Sequence, residues 1–184
     1  GPDCPVLVIT GPNTGGKTVA MKTLGLLSMM HQSGLQVPVG NGSRLPTFDG
    51  IYIDIGDSQN IEKSTSTFGS HISQIIQILK HATSDSLVLL DEIGGTTDPE
   101  EGSALAKSIL KHLASRKVFT VATTHQHTIA AFAEITDGMS NASVHLDPST
   151  LQPTYQLTMG VPSKSYALEA ASSLGLPEEI LNHA

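Results

Sequence analysis

The stretch Gly11-Pro12-Asn13-Thr14-Gly15-Gly16-Lys17-Thr18 constrains this chain more than any other. An apolar run, Val6-Leu7-Val8-Ile9-Thr10, leads into it, and a helix-compatible stretch from Val19-Ala20-Met21 leads out. Gly11, four intervening residues and then Gly16-Lys17-Thr18 form the phosphate-binding loop pattern, in the strand–loop–helix setting that pattern needs. Glycines let backbone N–H groups converge on phosphate oxygens without Cβ clashes. Lys17 supplies a positive charge for the outer phosphates, and Thr18 a hydroxyl for Mg²⁺. The helix that follows turns the positive end of its dipole toward the same anion. The segment reads as a site for a nucleoside triphosphate.

The rest of the composition narrows the setting. At 184 residues and 39% hydrophobic, residues 3–184 are expected to form one globular domain. No stretch approaches the roughly 20 apolar residues that span a bilayer, and the N-terminus lacks the basic and long apolar parts of a signal peptide. Gly1-Pro2 has the form of a tag-cleavage scar, so the chain is expected to be a fragment of a larger protein. A single cysteine, Cys4, allows no internal disulfide and fits a reducing compartment. The net charge of −7 argues against a broad nucleic-acid surface in this segment.

Downstream, periodicity and punctuation predict a helix from about Lys17 to Ser33, stopped by Gly34 and Pro38. Its apolar residues (Leu24, Leu26, Leu27, Met29, Met30) spread too widely for one stripe, which predicts burial on most sides. Ile51 to Ile55 reads as a strand and Gly56 to Thr65 as a loop. A helix follows with Phe68, Ile72, Ile75, Ile76 and Leu79 at helical spacing, Ser66 as its N-cap and an end near Thr83 to Asp85. Ser86-Leu87-Val88-Leu89-Leu90, apolar without alternation, predicts a central parallel strand buried on both faces. Asp98, Pro99 and Glu101 make a strong helix start, with Leu105, Ile109 and Leu113 as the buried face. Val118 to Ala122 is the next strand, and a short helix covers about Thr128 to Glu134. Alternation in Ala142, Val144, Leu146 and again in Tyr155, Leu157, Met159 predicts a β-hairpin turning at Asp147 to Thr150. Helices over Ser165 to Leu174 and from Pro177 close a helical end at about 164–184.

Alternating strands and helices predict a doubly wound α/β domain: a mostly parallel central sheet with helices on both faces, plus the C-terminal hairpin and helices. In such sheets ligands bind beyond the carboxyl ends of the strands, where Thr10, Asp91 and Thr124-His125 would all emerge. Asp91 is placed to hold the Mg²⁺ shell that Thr18 also touches, and Glu92 to deprotonate water attacking the γ-phosphate. An adjacent Asp-Glu pair favours hydrolysis, since small-molecule kinases with phosphate loops commonly lack this glutamate. His125 either senses the γ-phosphate and aligns water or is a satisfied polar strand end. Ser66 is either a simple helix cap or a second anion-binding device, serving a nucleotide held by another subunit.

Taken together these motifs resemble the ATPase domain of the MutS family, within the ABC superclass of phosphate-loop ATPases. The resemblance rests on the GPN-x-GGKT loop, Ser66-Thr67-Phe68, the SLVLLDE strand and Thr123-Thr124-His125 in family order. Gly160-Val161-Pro162-Ser163-Lys164-Ser165-Tyr166-Ala167 and Leu176-Pro177-Glu178-Glu179 extend it along nearly the whole chain. Thr14, the phrase Thr97-Asp98-Pro99-Glu100-Glu101-Gly102, Asn141-Ala142-Ser143-Val144 and Leu151-Gln152-Pro153-Thr154-Tyr155 are most similar to the second bacterial branch, MutS-two.

The resemblance implies an ABC/RecA-like ATPase that binds ATP and Mg²⁺ and works as a homodimer with two composite sites. One protomer would give Gly11, Pro12, Asn13, Thr14, Gly15, Gly16, Lys17, Thr18, Asp91, Glu92 and His125, with Glu92, His125 and Lys17 as the catalytic set. The other would give Ser66. DNA or a ribosome would be engaged through domains outside this segment, without a membrane, in a bacterial-type cytoplasm or a plant organelle. The competing readings are a nucleotide switch that barely hydrolyses and the motor of a mismatch-repair MutS. Two positions depart from the family: Thr96 replaces a glycine after Asp91-Glu92, and Gln126 replaces an aromatic after His125.

Overall fold

Five parallel strands and one antiparallel strand build the sheet onto which every described helix packs. The computed structural model describes residues 3–55, 64–95, 97–147, 149–150, 152–160 and 180. In chain order these give β1 (Val6–Thr10), a 3-10 turn (Asn13–Gly15), α1 (Lys17–Gln32), β2 (Ile51–Asp54), α2 (Ser64–His81) and β3 (Leu87–Leu90). There follow α3 (Pro99–Ser115), β4 (Phe119–Thr123), α4 (His127–Glu134), β5 (Met139–Leu146) and β6 (Pro153–Met159). The strand order is β2-β3-β4-β1-β5-β6. All neighbours are parallel except β5 and β6, which form the expected hairpin with an irregularity between Val144 and Leu146. The chain leaves β1 for one edge of the sheet and returns to the other side of β1, so the order reverses beside the phosphate loop. Open α/β sheets bind ligands at such a reversal.

Alternate residues of β1 to β4 feed two cores, as a pleat with period two requires, while β6 is almost wholly exposed. On one face Val6, Val8, Val88 and Leu90 pack with Ile75 and Ile78 of α2, Leu110 and Leu113 of α3 and Ile129 of α4. On the other, Ile9, Leu87, Leu89 and Val121 pack with Met21 of α1. The expectation for β3 holds: all four of its residues are buried between parallel neighbours.

Several expectations need correction. In α1 only Lys17, Met21, Gly25 and Ser28 are buried, while Leu26 and Met29 are exposed. Among the described residues α1 is the helix that covers this face, so one stripe of it meets the sheet and the rest meets solvent. Gly25 sets how close it lies, since a Cβ there would come within 2.8 Å of Leu89 Cδ1. Helix α2 starts at Ser64, which makes Ser66 its third residue rather than its cap, and it ends at His81. In α3, Leu105 is partly exposed and Ala106 and Leu110 take its place in the core. The expected start of α3 holds: the Asp98 carboxylate accepts from Glu100 N and Glu101 N, with Pro99 at the first helical position. The helix predicted at Ser165–Leu174, that predicted from Pro177 apart from the helical Ile180, most of the loop over 56–65, and Thr96 lie outside the described residues.

Candidate functional site

The loop after β1 wraps over its own lysine. Gly11 has φ 139° and Gly16 φ 92°, conformations that side-chain-bearing residues rarely adopt. Gly11 is also pressed on β5, since a Cβ there would meet Val144 Cγ2 at 2.5 Å and Val144 O at 2.8 Å. Asn13–Gly15 closes as a 3-10 turn through Gly15 N donating to Pro12 O at 2.9 Å, and α1 begins at Lys17. Thr14 is exposed at the tip of this turn. Lys17 is buried, and its Nζ donates to Gly11 O at 2.7 Å and to Pro12 O at 3.1 Å. Burial lowers the Lys17 pKa from the usual 10.5, and the negative charges of Glu92 and Asp91 partly oppose this. A buried cation therefore stands at the centre of the loop, facing two carboxylates.

Those carboxylates leave the end of β3. Thr18 Oγ1 donates to Asp91 Oδ2 at 2.9 Å. Asp91 Oδ1 accepts from Thr123 Oγ1 at the end of β4, so a hydroxyl grips each carboxylate oxygen. The same Thr123 Oγ1 accepts from Glu92 N at 2.9 Å. The hydroxyl and carboxylate of Thr18 and Asp91 are hard oxygen donors in contact, a set that fits Mg²⁺. Glu92 is exposed at the rim with φ 49°, a left-handed conformation that costs about 1 kcal/mol or more in a non-glycine residue. Ile93 N donates to Thr123 O at 2.9 Å and Gly95 N to Glu92 O at 3.0 Å, so the turn carrying Glu92 is pinned on both sides.

His125 is exposed next to that turn; a Cβ on Gly95 would stand 3.4 Å from its Cε1. Gln126, which departs from the aromatic common in the family at this position, donates from Nε2 to Gly94 O at 2.7 Å and so ties the β4–α4 connection to the loop after Glu92. Parallel pairing thus brings Gly11, Pro12, Thr14, Gly15, Gly16, Lys17, Thr18, Asp91, Glu92 and His125 to one sheet edge, with the backbone of Asn13. Ser66 stands in the first turn of α2, and its side chain and that of Asn13 lie outside the described residues.

Two residues received no role at the site from the sequence. Thr123 orients Asp91 and Glu92, and the signal for it is the register: Leu90 pairs with Ala122, so Asp91 must lie beside Thr123. Tyr155 of β6 carries φ 55°, is 68% exposed, and its ring lies against Gly16, where a Cβ would meet Cδ1 at 3.2 Å. Its position depends on the hairpin joining the sheet next to β1, which no local pattern announces.

Residues 7–184 match the family model of MutS domain V. The chain belongs to the MutS family. It is 57% identical over 178 residues to Endonuclease MutS2 of Alkaliphilus metalliredigens, covering 97% of this chain and 23% of that protein. The Endonuclease MutS2 of Pelotomaculum thermopropionicum is 56% identical over 184 residues, 100% of this chain and 23% of that protein. That of Staphylococcus carnosus is 52% identical over 182 residues, with coverages of 99% and 23%. The chain therefore spans about a quarter of the length of these MutS2 relatives. No helix among the described residues is long and apolar enough to cross a membrane.

Proposed function

We propose that this MutS-family domain, residues 3–184, is a doubly wound, ABC/RecA-like phosphate-loop motor that binds Mg-ATP and hydrolyses it to ADP and phosphate. The observation that carries this reading is the 2.9 Å bond between Thr18 Oγ1 and Asp91 Oδ2, which joins the phosphate loop to the carboxylate end of the central strand. ATP phosphates would lie on the loop N–H groups and the start of α1, with the Lys17 ammonium beside them. Mg²⁺ would be held by Thr18 and Asp91 and would neutralise phosphate charge. Thr123 keeps Asp91 aimed and fixes the backbone of Glu92. Glu92 takes the proton from the attacking water, and His125 at the rim of the same turn orients that water or meets the γ-phosphate. Tyr155 is the candidate for stacking on the base: an exposed aromatic in a strained backbone conformation, next to the loop that would hold the phosphates.

In the whole protein we assign this cycle to a dimer with Ser66 supplied in trans, driving clamp motions on DNA or a ribosome through parts outside this chain. The relatives are named endonucleases, and that name supports a nucleic-acid target for the whole protein.

Phosphate release, with Lys17→Ala as blank, tests the reading. Glu92→Gln should bind ATP within a few-fold of the wild type and lose on the order of 10²-fold or more in turnover. Wild-type release at the level of the blank would leave only a nucleotide switch, and unchanged turnover in Glu92→Gln would remove the glutamate as base.

A further inference from the structure

Among the described residues, helix α2 is deeply buried toward its C-terminal end and partly exposed toward its N-terminal end. At its C-terminal end Ile78 and Ala82 are 1% exposed, and Arg116 donates to Leu79 O and Ala82 O, each at 2.7 Å. Toward its N-terminal end Phe68 is 37% exposed and Ile72 only partly buried, and with Ile75 of α2 and Leu105 and Ile109 of α3 they line a small cavity of about 30 Å³. The cavity reaches Asp91 and Glu92. On the same helix stripe, His71 Nδ1 lies 3.0 Å from each carboxylate oxygen of Asp54, with the two side chains only 15% and 12% exposed. Asp54 ends β2, and its carbonyl accepts from Asp91 N at 2.8 Å. A short chain of bonds therefore runs from α2 through Asp54 to the strand end that carries Asp91 and Glu92.

Where side chains interlock in the core, packing fixes a helix; where they lie partly in solvent, orientation falls more to directional bonds. Ser66 is five residues before His71, about 7.5 Å along the helix axis. We propose that His71 and Asp54 are a positioning pair, setting the angle of the Ser66 turn against the Asp91–Glu92 end of β3 in the same protomer. A change at one composite site is then passed to the other through α2. This rests on the dimeric ATPase reading above, and it adds residues that the phosphate-loop motifs do not contain. Neither touches the nucleotide in this scheme.

The test compares wild type, His71→Leu and His71→Asn. Leucine keeps the volume and helix propensity and removes the bond. Asparagine carries an Nδ2 donor at the same remove from Cβ as Nδ1. For His71→Leu we expect kcat about tenfold lower, with KM for ATP within about twofold. Amide exchange should be about tenfold faster over residues 64–72 and unchanged over 75–82. His71→Asn should restore both. Wild-type exchange and kcat in the leucine variant, or an asparagine variant as impaired as leucine, would overturn the pair. Silence of the wild type in turnover would instead remove the ATPase reading, and the exchange comparison would still decide whether the bond positions α2.

Discussion

Tyr155 asks for an explanation at the level of one residue. A bulky aromatic with φ 55° gives up about 1–2 kcal/mol of backbone preference, and its ring is mostly in solvent, where it gains little from packing. The strain persists because the hairpin holds the ring over Gly16, whose own φ of 92° excludes a side chain there. Stacking on a base is worth about 1–3 kcal/mol, enough to offset the strain once a nucleotide is bound. Tyr155→Ala should therefore weaken ATP binding roughly 5- to 150-fold, a range set by that stacking energy, while Tyr155→Phe stays near wild type. Calorimetric titration decides it, and equal affinities for alanine and tyrosine would remove Tyr155 from the site.

At the level of elements, the contact between α3 and the loop after Glu92 is the tightest constraint. A Cβ on Gly102 would meet Gly94 O at 2.3 Å and Thr97 Cγ2 at 3.2 Å. Alanine inside a helix normally gains about 0.8–1 kcal/mol over glycine, whereas forcing a backbone contact apart costs about 1–3 kcal/mol. The contact outweighs the propensity gain, and Gly102→Ala should lower stability by up to about 2 kcal/mol in urea unfolding. Its turnover should fall too, because the displaced loop carries Glu92; a variant more stable than wild type would show that the loop yields freely. Elements of this kind were legible where local chemistry decides them. The Asp98-Pro99 start of α3 and the apolar run of β3 follow from capping and from burial on two faces. Burial of α1 was misread because the width of an apolar stripe does not say how many neighbours a helix has, and here it has the sheet on one side. Asp91, Glu92 and the phosphate loop could be read because adjacent motifs at parallel strand ends must converge. Thr123, Tyr155 and the His71–Asp54 bond needed the strand order and the helix placement, which are properties of non-local packing.

At the scale of the whole molecule, the charge of −7 makes association of two copies unfavourable unless a ligand and its contacts compensate. ATP adds further negative charge, so a dimer closed over nucleotide requires donors from both sides. In the proposed site Lys17 and the start of α1 would supply them in cis. The first turn of α2, whose N–H groups lack helical acceptors, supplies them in trans if Ser66 faces a partner's nucleotide. An arginine at Ser66 adds positive charge, so simple attraction to ATP would tolerate or strengthen it, whereas a close-fitting composite site would be blocked by its bulk. Light scattering on Glu92→Gln should therefore give about twice the 19.3 kDa chain mass with Mg-ATP and the chain mass without it. Adding Ser66→Arg should return the protein to the chain mass while ATP still binds. Persistence of the dimer in that variant would place the association surface away from α2. A Glu92→Gln protein that binds ATP yet stays at the chain mass would mean that these residues alone do not close the composite site.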